Sequence, residues 1–286
     1  MPQRITGHTE LIGLIATPIR HSKSPMMHNT AFEALGLDNV YLAFDIQHEE
    51  LDGVVKGLKA LGIRGFNVSM PYKTEVMNYL DVVDDSAKLI GACNTVVNEN
   101  GKFYGYNTDG MGYMAGLRDN GYDPTGKKIT VLGSGGAATA IVMQAALDGV
   151  AEISIFNGDD PFYARAEHNA QVINENTGCK ATVYKLEDTA RLKQEIAESY
   201  ILANATNVGM GAMEGQKLIP DESYLRPDLI VTDVIYSPEE TALLKMAREF
   251  GCRTMNGLPM MLFQGAAAFK LWTGKDMPID AVKAVI

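Results

Sequence analysis

Short apolar runs recur along the whole chain, and most are separated by stretches with helical spacing. The first run, Leu11-Ile12-Gly13-Leu14-Ile15-Ala16, predicts a buried strand. Ser24 followed by Pro25 predicts a helix start, with a hydroxyl cap and then proline at the first helical position; Gly36 supplies its stop. A strand over 40–45, a helix over 49–61 closed by Gly62 and a strand over 63–69 follow. Glu99-Asn100-Gly101-Lys102 lies between apolar runs and predicts a hairpin. Further on, strands are expected at 127–132, 152–156, 181–184, 200–204 and 229–234. Helices are expected at 137–148, 191–199, 241–250, 259–273 and 279–286. Strands alternating with helices imply helix-covered, largely parallel sheets, with ligands bound where the strands end. The fold class expected is α/β in two domains, one with a mixed or parallel sheet and one of Rossmann type.

The stretch after the strand at 127–132 reads Gly133-Ser134-Gly135-Gly136-Ala137-Ala138 and runs into an alanine-rich helix. Strand, glycine turn, helix and second strand stand in the order of a dinucleotide fingerprint. Gly133 permits the tight turn, and Gly135 lets backbone approach a pyrophosphate. Ala138 lets helix and strand pack closely, and the free N–H groups of the helix start face the phosphates. A tight, purely structural βα turn is the plain alternative.

Other polar residues sit at strand ends. Ser22 and Ser24 lie between a strand end and a helix N-terminus, where two hydroxyls suit a small carboxylate; simple capping accounts for Ser24 alone. Lys73 follows Pro71 just beyond a strand end, a place equally open to a catalytic group and to a solvated lysine. Asn107-Thr108-Asp109-Gly110 reads as a turn and helix cap, and Thr206 as a turn residue or a ligand contact. The loops after Asn204 and Val234 stand at strand ends and should border a nicotinamide.

With 286 residues the chain is long enough for one large or two medium domains. A net charge of −10 with no Lys/Arg cluster argues against nucleic acid or an anionic membrane as partner. Cys93, Cys179 and Cys252 show no ligand spacing and the five histidines are scattered, so no metal is expected and a reduced cytoplasmic setting is. No run is long enough to span a membrane, and residues 11–16 are too short for a signal peptide.

Taken together in order, Ser22-Lys23-Ser24-Pro25, Asn67-Val68-Ser69-Met70-Pro71-Tyr72-Lys73, Gly91-Ala92-Cys93-Asn94-Thr95, Gly105-Tyr106-Asn107-Thr108-Asp109-Gly110, the glycine turn, Asn204-Ala205-Thr206-Asn207-Val208-Gly209-Met210 and Phe263-Gln264-Gly265-Ala266 are a combination of high specificity. The chain resembles the shikimate/quinate dehydrogenase family over nearly its whole length, and looks closest to the branch that handles both substrates. The resemblance implies that Ser22 and Ser24 bind a substrate carboxylate. It implies that Asn94, Asp109 and Gln264 meet ring hydroxyls, and that Asn67, Ser69 and Tyr236 line the same pocket. Lys73 and Asp109 would form the catalytic pair. Ser69 stands where many relatives have threonine, which keeps the hydroxyl. A discontinuous substrate domain, 1–112 plus 255–286, and a dinucleotide domain, 113–254, are expected.

The resemblance further implies reversible reduction of 3-dehydroshikimate to shikimate, a step toward aromatic amino acids, with quinate as a related substrate. Quinate catabolism and a non-catalytic dinucleotide sensor are the alternatives. A methylenetetrahydrofolate dehydrogenase of similar layout would need no paired serines, and a sensor would need no Lys73. Partners are these small molecules, with the chain a monomer or homodimer. The expected cofactor contacts are Gly133, Ser134, Gly135, Gly136, Ala137, Asn157, Asp159, Thr206, Val208, Met210, Val234 and Gly257. Cofactor choice turns on Asn157-Gly158-Asp159-Asp160. Acidic residues there accept the ribose hydroxyls of NAD, whereas NADP-using relatives carry arginine directly after the asparagine. NAD is expected over NADP, with Arg165 the one nearby residue able to offset the aspartates.

Overall fold

The computed structural model describes residues 5–20 and 22–286. Twelve strands and ten α-helices are formed by the described residues. In chain order the N-terminal elements are β1 (Glu10–Ala16), α1 (Ser24–Leu35), β2 (Asn39–Asp45), α2 (Leu51–Ala60), β3 (Gly65–Val68), β4 (Val82–Val83), α3 (Asp85–Ile90), β5 (Thr95–Glu99) and β6 (Lys102–Tyr106). Then come α4 (Asp109–Asp119), β7 (Lys128–Leu132), α5 (Gly136–Leu147), β8 (Glu152–Asn157), α6 (Tyr163–Asn176), β9 (Lys180–Lys185), α7 (Thr189–Glu198), β10 (Ile201–Asn204), β11 (Ile230–Asp233), α8 (Ala242–Phe250), β12 (Arg253–Met255), α9 (Leu258–Thr273) and α10 (Ile279–Lys283).

Two units result. Described residues up to Thr108, joined by Leu262–Ile286, form one; Asp109–Met261 form the other. The sheet of the first unit runs β2-β1-β3-β5-β6-β4. Its first three strands are parallel, joined through α1 and α2. The hairpin then enters antiparallel, because Asn100 (φ 54°) and Gly101 (φ 82°) form a two-residue turn with both central residues at positive φ. The sheet is therefore mixed. Three short elements carry little periodicity and are not evident from the pattern: β4, which adds to β6; α3, capped by Asp84 on Ser86 N–H; and β12. The helix expected over 49–61 opens as a 3₁₀ turn at His48–Glu50. There the Glu50 carboxylate accepts the Gln47 N–H at 2.8 Å.

The C-terminal helix completes the first core. Trp272 of α9 is buried against Phe32, Tyr41 and Phe269, and its Nε1 donates to the Val96 carbonyl at 2.9 Å. A Cβ on Gly65 would lie 2.4 Å from that indole nitrogen, so the bare strand backbone is what admits the ring. Arg64 donates from Nε to the Trp272 carbonyl at 2.8 Å and ties the helix end to the same strand.

In the second unit all strands are parallel in the order β12-β11-β10-β7-β8-β9. Counted from β7, this is the 3-2-1-4-5-6 order of the doubly wound nucleotide fold, with its switch point between β7 and β10. At the far end of β7 from the glycine turn, Lys128 meets Glu195, Glu198 and Glu152 at 2.6, 2.7 and 3.1 Å. Burial there disfavours the ammonium, but the three carboxylates outweigh it and raise its pKa.

One core residue carries a pH liability. His28 is fully buried in the first unit, stacked on Tyr41 at 4.5 Å and edge-on to Trp272 at 5.3 Å, and neither ring nitrogen bonds to a protein group. Burial pushes its pKa from the ordinary 6.5 down to about 3. Between those values the unfolded chain binds a proton that the folded chain refuses. Stability is therefore unaffected above 6.5 and falls as pH drops through that window, by about 1.4 kcal/mol per unit. Urea denaturation at pH 7.5 and pH 5.0 tests this. Wild type is expected to lose about 2 kcal/mol more than His28→Leu over that interval. Equal losses in the two proteins would show that His28 is not the titrating group.

Candidate active site

The polar strand-end residues of the first unit form one hydrogen-bonded network. Asn67, near the end of β3 and buried, spends its whole amide inside the protein. Its Nδ2 donates to the Asn94 carbonyl and to Thr95 Oγ1, both at 3.0 Å, and its Oδ1 accepts the Tyr41 hydroxyl at 2.7 Å. Asn94 bridges strands through its backbone, accepting from Val68 N and donating to the Tyr106 carbonyl. Its side chain donates to Thr108 Oγ1 at 3.0 Å and to Gln264 Oε1 at 3.4 Å, while its Oδ1 accepts Thr108 N–H at 2.8 Å. Gln264 thus reaches the N-terminal strands because α9 packs back on them.

Burial raises the pKa of the Tyr41 phenol, and the nearby Ser24 hydroxyl pulls it the other way. The expected Ser24 cap is not formed. Lys23 is the N-cap and makes no side-chain capping bond, while Ser24 is already helical. Ser22 takes the role instead, its Oγ accepting Ser24 N–H at 3.2 Å. Pro25 still lies in the first turn of the helix, where its missing N–H leaves no intrahelical bond unmade.

Lys73 leaves a turn that is fastened on both sides. Its carbonyl accepts Cys93 N–H at 2.7 Å. Its neighbour Tyr72 is fully buried and donates to the Ile46 carbonyl at 2.6 Å. Ser69 N–H bonds the Ile15 carbonyl, so the segment stays on the sheet end. Lys73 is half-buried, as is Ser69. Tyr72, to which the sequence gives no role, is the anchor of this turn.

The second unit carries the remaining expected residues. Asp109 is the first residue of α4, and Tyr236 is exposed after β11. Gly133 has φ 100° and its N–H bonds the Phe156 carbonyl at 2.7 Å. Gly135 caps α5, which starts at Gly136. A Cβ at Gly135 or Gly136 would meet nothing within 4 Å, so open space lies over a helix N-terminus with free N–H groups. Ala137 is half-buried beside it, and Ala138 is buried as close packing requires.

Ser134 Oγ donates to Asn157 Oδ1 and to the Phe162 carbonyl, both at 2.8 Å, closing the loop after β8 onto the glycine turn. Asp160 accepts from Asn157 Nδ2 and Phe162 N–H, both at 2.8 Å, and so serves the loop itself. Asp159 projects outward, 3.6 Å from Lys185. The Arg165 guanidinium lies over the Phe162 ring at 5.4 Å. Thr206 accepts Val208 N–H at 3.1 Å, Met210 is exposed, and a Cβ on Gly257 would fall 2.1 Å from the Val234 carbonyl oxygen.

Residues 14–96 match the family model of the shikimate dehydrogenase substrate binding domain, and residues 257–286 that of the shikimate 5'-dehydrogenase C-terminal domain. A protein of Listeria monocytogenes named shikimate dehydrogenase (NADP(+)) is 58% identical over 99% of this chain and 98% of its own length. The chain belongs to the shikimate/quinate dehydrogenase family. A shikimate 5-dehydrogenase of Listeria monocytogenes, solved in complex with shikimate and NAD, superposes with a TM-score of 0.97 at 58% identity, covering 100% of this chain and 99% of that one. A family member from Corynebacterium glutamicum, quinate dehydrogenase in complex with NAD, gives 0.87 at 31% identity, over 96% and 98% of the two chains.

Tyr41, Thr95 and Thr108 are network members that sequence reasoning missed as site residues. Tyr41 is the one fully buried position in an otherwise half-exposed β2, and a buried phenol needs a partner; that burial is not visible in the sequence pattern.

Asn67→Ala should lower stability by about 2 kcal/mol, because it takes the acceptor from the buried Tyr41 hydroxyl and one donor each from the Asn94 carbonyl and Thr95 Oγ1, which keep their other partners. The check is the urea midpoint at unchanged m-value. A loss below about 0.5 kcal/mol would mean that these groups re-pair without Asn67.

Proposed function

We propose that this chain is a shikimate dehydrogenase: it reversibly reduces 3-dehydroshikimate to shikimate with a nicotinamide dinucleotide, and prefers NAD to NADP. Quinate, with the same carboxylate and a similar ring, is the second substrate of the reading. The observation that carries it is the network Tyr41–Asn67–Asn94–Gln264, which gathers hydroxyl-binding groups at the strand ends of one unit, with Ser22 and Ser24 at the start of α1. The close likeness to an enzyme solved with shikimate and NAD supports it.

In this reading the first unit is the substrate domain and the second the dinucleotide domain. Ser22 and Ser24 take the carboxylate, and Asn94, Asp109 and Gln264 the ring hydroxyls, with Asn67, Ser69 and Tyr236 lining the pocket. Lys73 gives its proton to the carbonyl oxygen in reduction and takes it back in oxidation. Asp109 is its partner in the catalytic pair and orients the amine.

The second unit fits a dinucleotide on its own evidence: the strand order, the bare Gly135 and Gly136 over the α5 N-terminus, and the close approach at Gly257. The residues that would hold it are Gly133, Ser134, Gly135, Gly136, Ala137, Asn157, Asp159, Thr206, Val208, Met210, Val234 and Gly257. The bound cofactor supplies the hydride chemistry.

Three free, buried cysteines support a cytoplasmic setting. Among the described residues no helix is long and apolar enough to cross a membrane. A monomer or homodimer completes the reading.

Lys73→Ala should lower kcat by about 10²-fold or more, the scale of a positioned acid–base group, with a much smaller change in KM for shikimate. Retention of near wild-type kcat would remove Lys73 from the proton transfer.

The cofactor preference rests on the loop after β8. Gly158 offers no guanidinium, and Asp159 and Asp160 oppose a phosphate dianion. The Listeria relative is named for NADP(+), while the solved Listeria structure holds NAD, so the two names do not agree on a cofactor. Lys185 beside Asp159 is a basic residue the sequence did not reveal, but both are exposed and solvent weakens its pull. In a side-by-side assay kcat/KM for NAD should exceed that for NADP by at least about tenfold, roughly 1.4 kcal/mol. Equal or reversed values would show that Lys185 or Arg165 serves the 2′-phosphate.

A further inference from the structure

Asp233 is the last residue of β11 and is 1% exposed. It makes no ion pair with any described residue, yet three separate segments turn a donor toward it. Asn204 Nδ2 and Thr241 Oγ1 donate to its Oδ2 at 3.1 and 2.9 Å, and Ile235 N–H donates to its Oδ1 at 3.0 Å. Burial raises its pKa while these three bonds pull the other way. A buried charge without a counter-ion is costly, and it persists only where its hydrogen bonds hold something in place.

What they hold is three chain segments. Asn204 ends β10, and its Oδ1 in turn accepts Thr206 N–H and Oγ1 at 3.2 and 2.7 Å, while its Nδ2 reaches the Val208 carbonyl at 3.1 Å. Thr206 presses on the glycine turn: a Cβ at Gly133 would lie 2.6 Å from Thr206 Cγ2. Ile235 belongs to the loop after β11, and its carbonyl accepts Gly257 N–H at 2.9 Å. Thr241 caps α8 through Leu244 N–H at 3.3 Å. The carboxylate is thus the common acceptor for the loops that follow β10 and β11, both beside the switch point.

We propose that Asp233 is a positioning residue for the nicotinamide half of the dinucleotide, setting the 205–210 and 234–236 loops through Asn204, Ile235 and Thr241. It does not touch substrate; it acts by fixing the backbone that does the flanking. This rests on the dinucleotide reading above.

Asp233→Asn keeps the shape but turns an amide donor toward Asn204 or Ile235, so one bond of the three becomes donor against donor. Thr241→Val removes one donor to the same carboxylate and leaves Asp233 in place.

The test measures the Kd of NAD and of ADP-ribose, which lacks the nicotinamide, by tryptophan fluorescence or calorimetry. Asp233→Asn should weaken NAD by at least about tenfold, leave ADP-ribose within about twofold, and raise KM for NAD more than KM for shikimate; Thr241→Val should do the same to a smaller degree. If Asp233→Asn weakens both ligands equally, or neither, the positioning role is overturned. Thr241→Val decides the matter where Asp233→Asn does not fold: selective weakening of NAD there, with intact ADP-ribose binding, supports the role, and parallel loss or no change overturns it. Failure of wild type to bind either ligand would instead remove the dinucleotide reading.

Discussion

The contact between the Trp272 indole and the bare backbone of Gly65 is the constraint on which the first unit depends. It closes a cluster that no N-terminal element completes alone, since Phe32, Tyr41 and Ile12 are covered by residues more than 200 positions later in the sequence. The same contact fixes where α9 lies, and so places Gln264 within reach of Asn94. Packing and chemistry are linked through one helix: its buried face holds the fold, and its polar residue serves the strand ends.

A second theme is the use of buried polar side chains as joints between elements. Asn67 and Asn94 in the first unit, and Asn204 with Asp233 in the second, bond to backbone and to each other at the ends of strands. In a sheltered medium each such bond is strong, and each broken one is costly. The result at both strand ends is a rigid rim on which exposed or half-buried groups such as Lys73 and Tyr236 can be carried.

Much of this was legible in the chain itself. The Asn100-Gly101 turn predicts its hairpin because few other dipeptides adopt two successive positive φ values. The alternation of strands and helices predicts both sheets, and the glycine turn predicts the β7–α5 junction to within a residue. Elsewhere local rules were overruled by tertiary ones. Ser24 looks like a cap, but it is already the first residue of α1, and Ser22 does the capping. Asp233 sits in an apolar run and reads as a strand end, because the three donors that surround it come from separate segments. Lys185 escapes notice beside Asp159 for the same reason: they lie at the ends of neighbouring strands, β9 and β8.

The discontinuity of the first unit bears on how the chain is made. Asp109–Met261 is one unbroken stretch, so everything its sheet needs has been synthesised before α9 is finished. The N-terminal strands have been waiting since the start of synthesis with Phe32 and Tyr41 uncovered, because Phe269 and Trp272 emerge last. Domains form as units during synthesis, usually the N-terminal one first. Here that order is reversed for the final step: the later unit is complete while the earlier one still lacks its lid of aromatic side chains. A truncation that removes only the last helices would spare the nucleotide-type sheet and leave the N-terminal strands exposed to self-association.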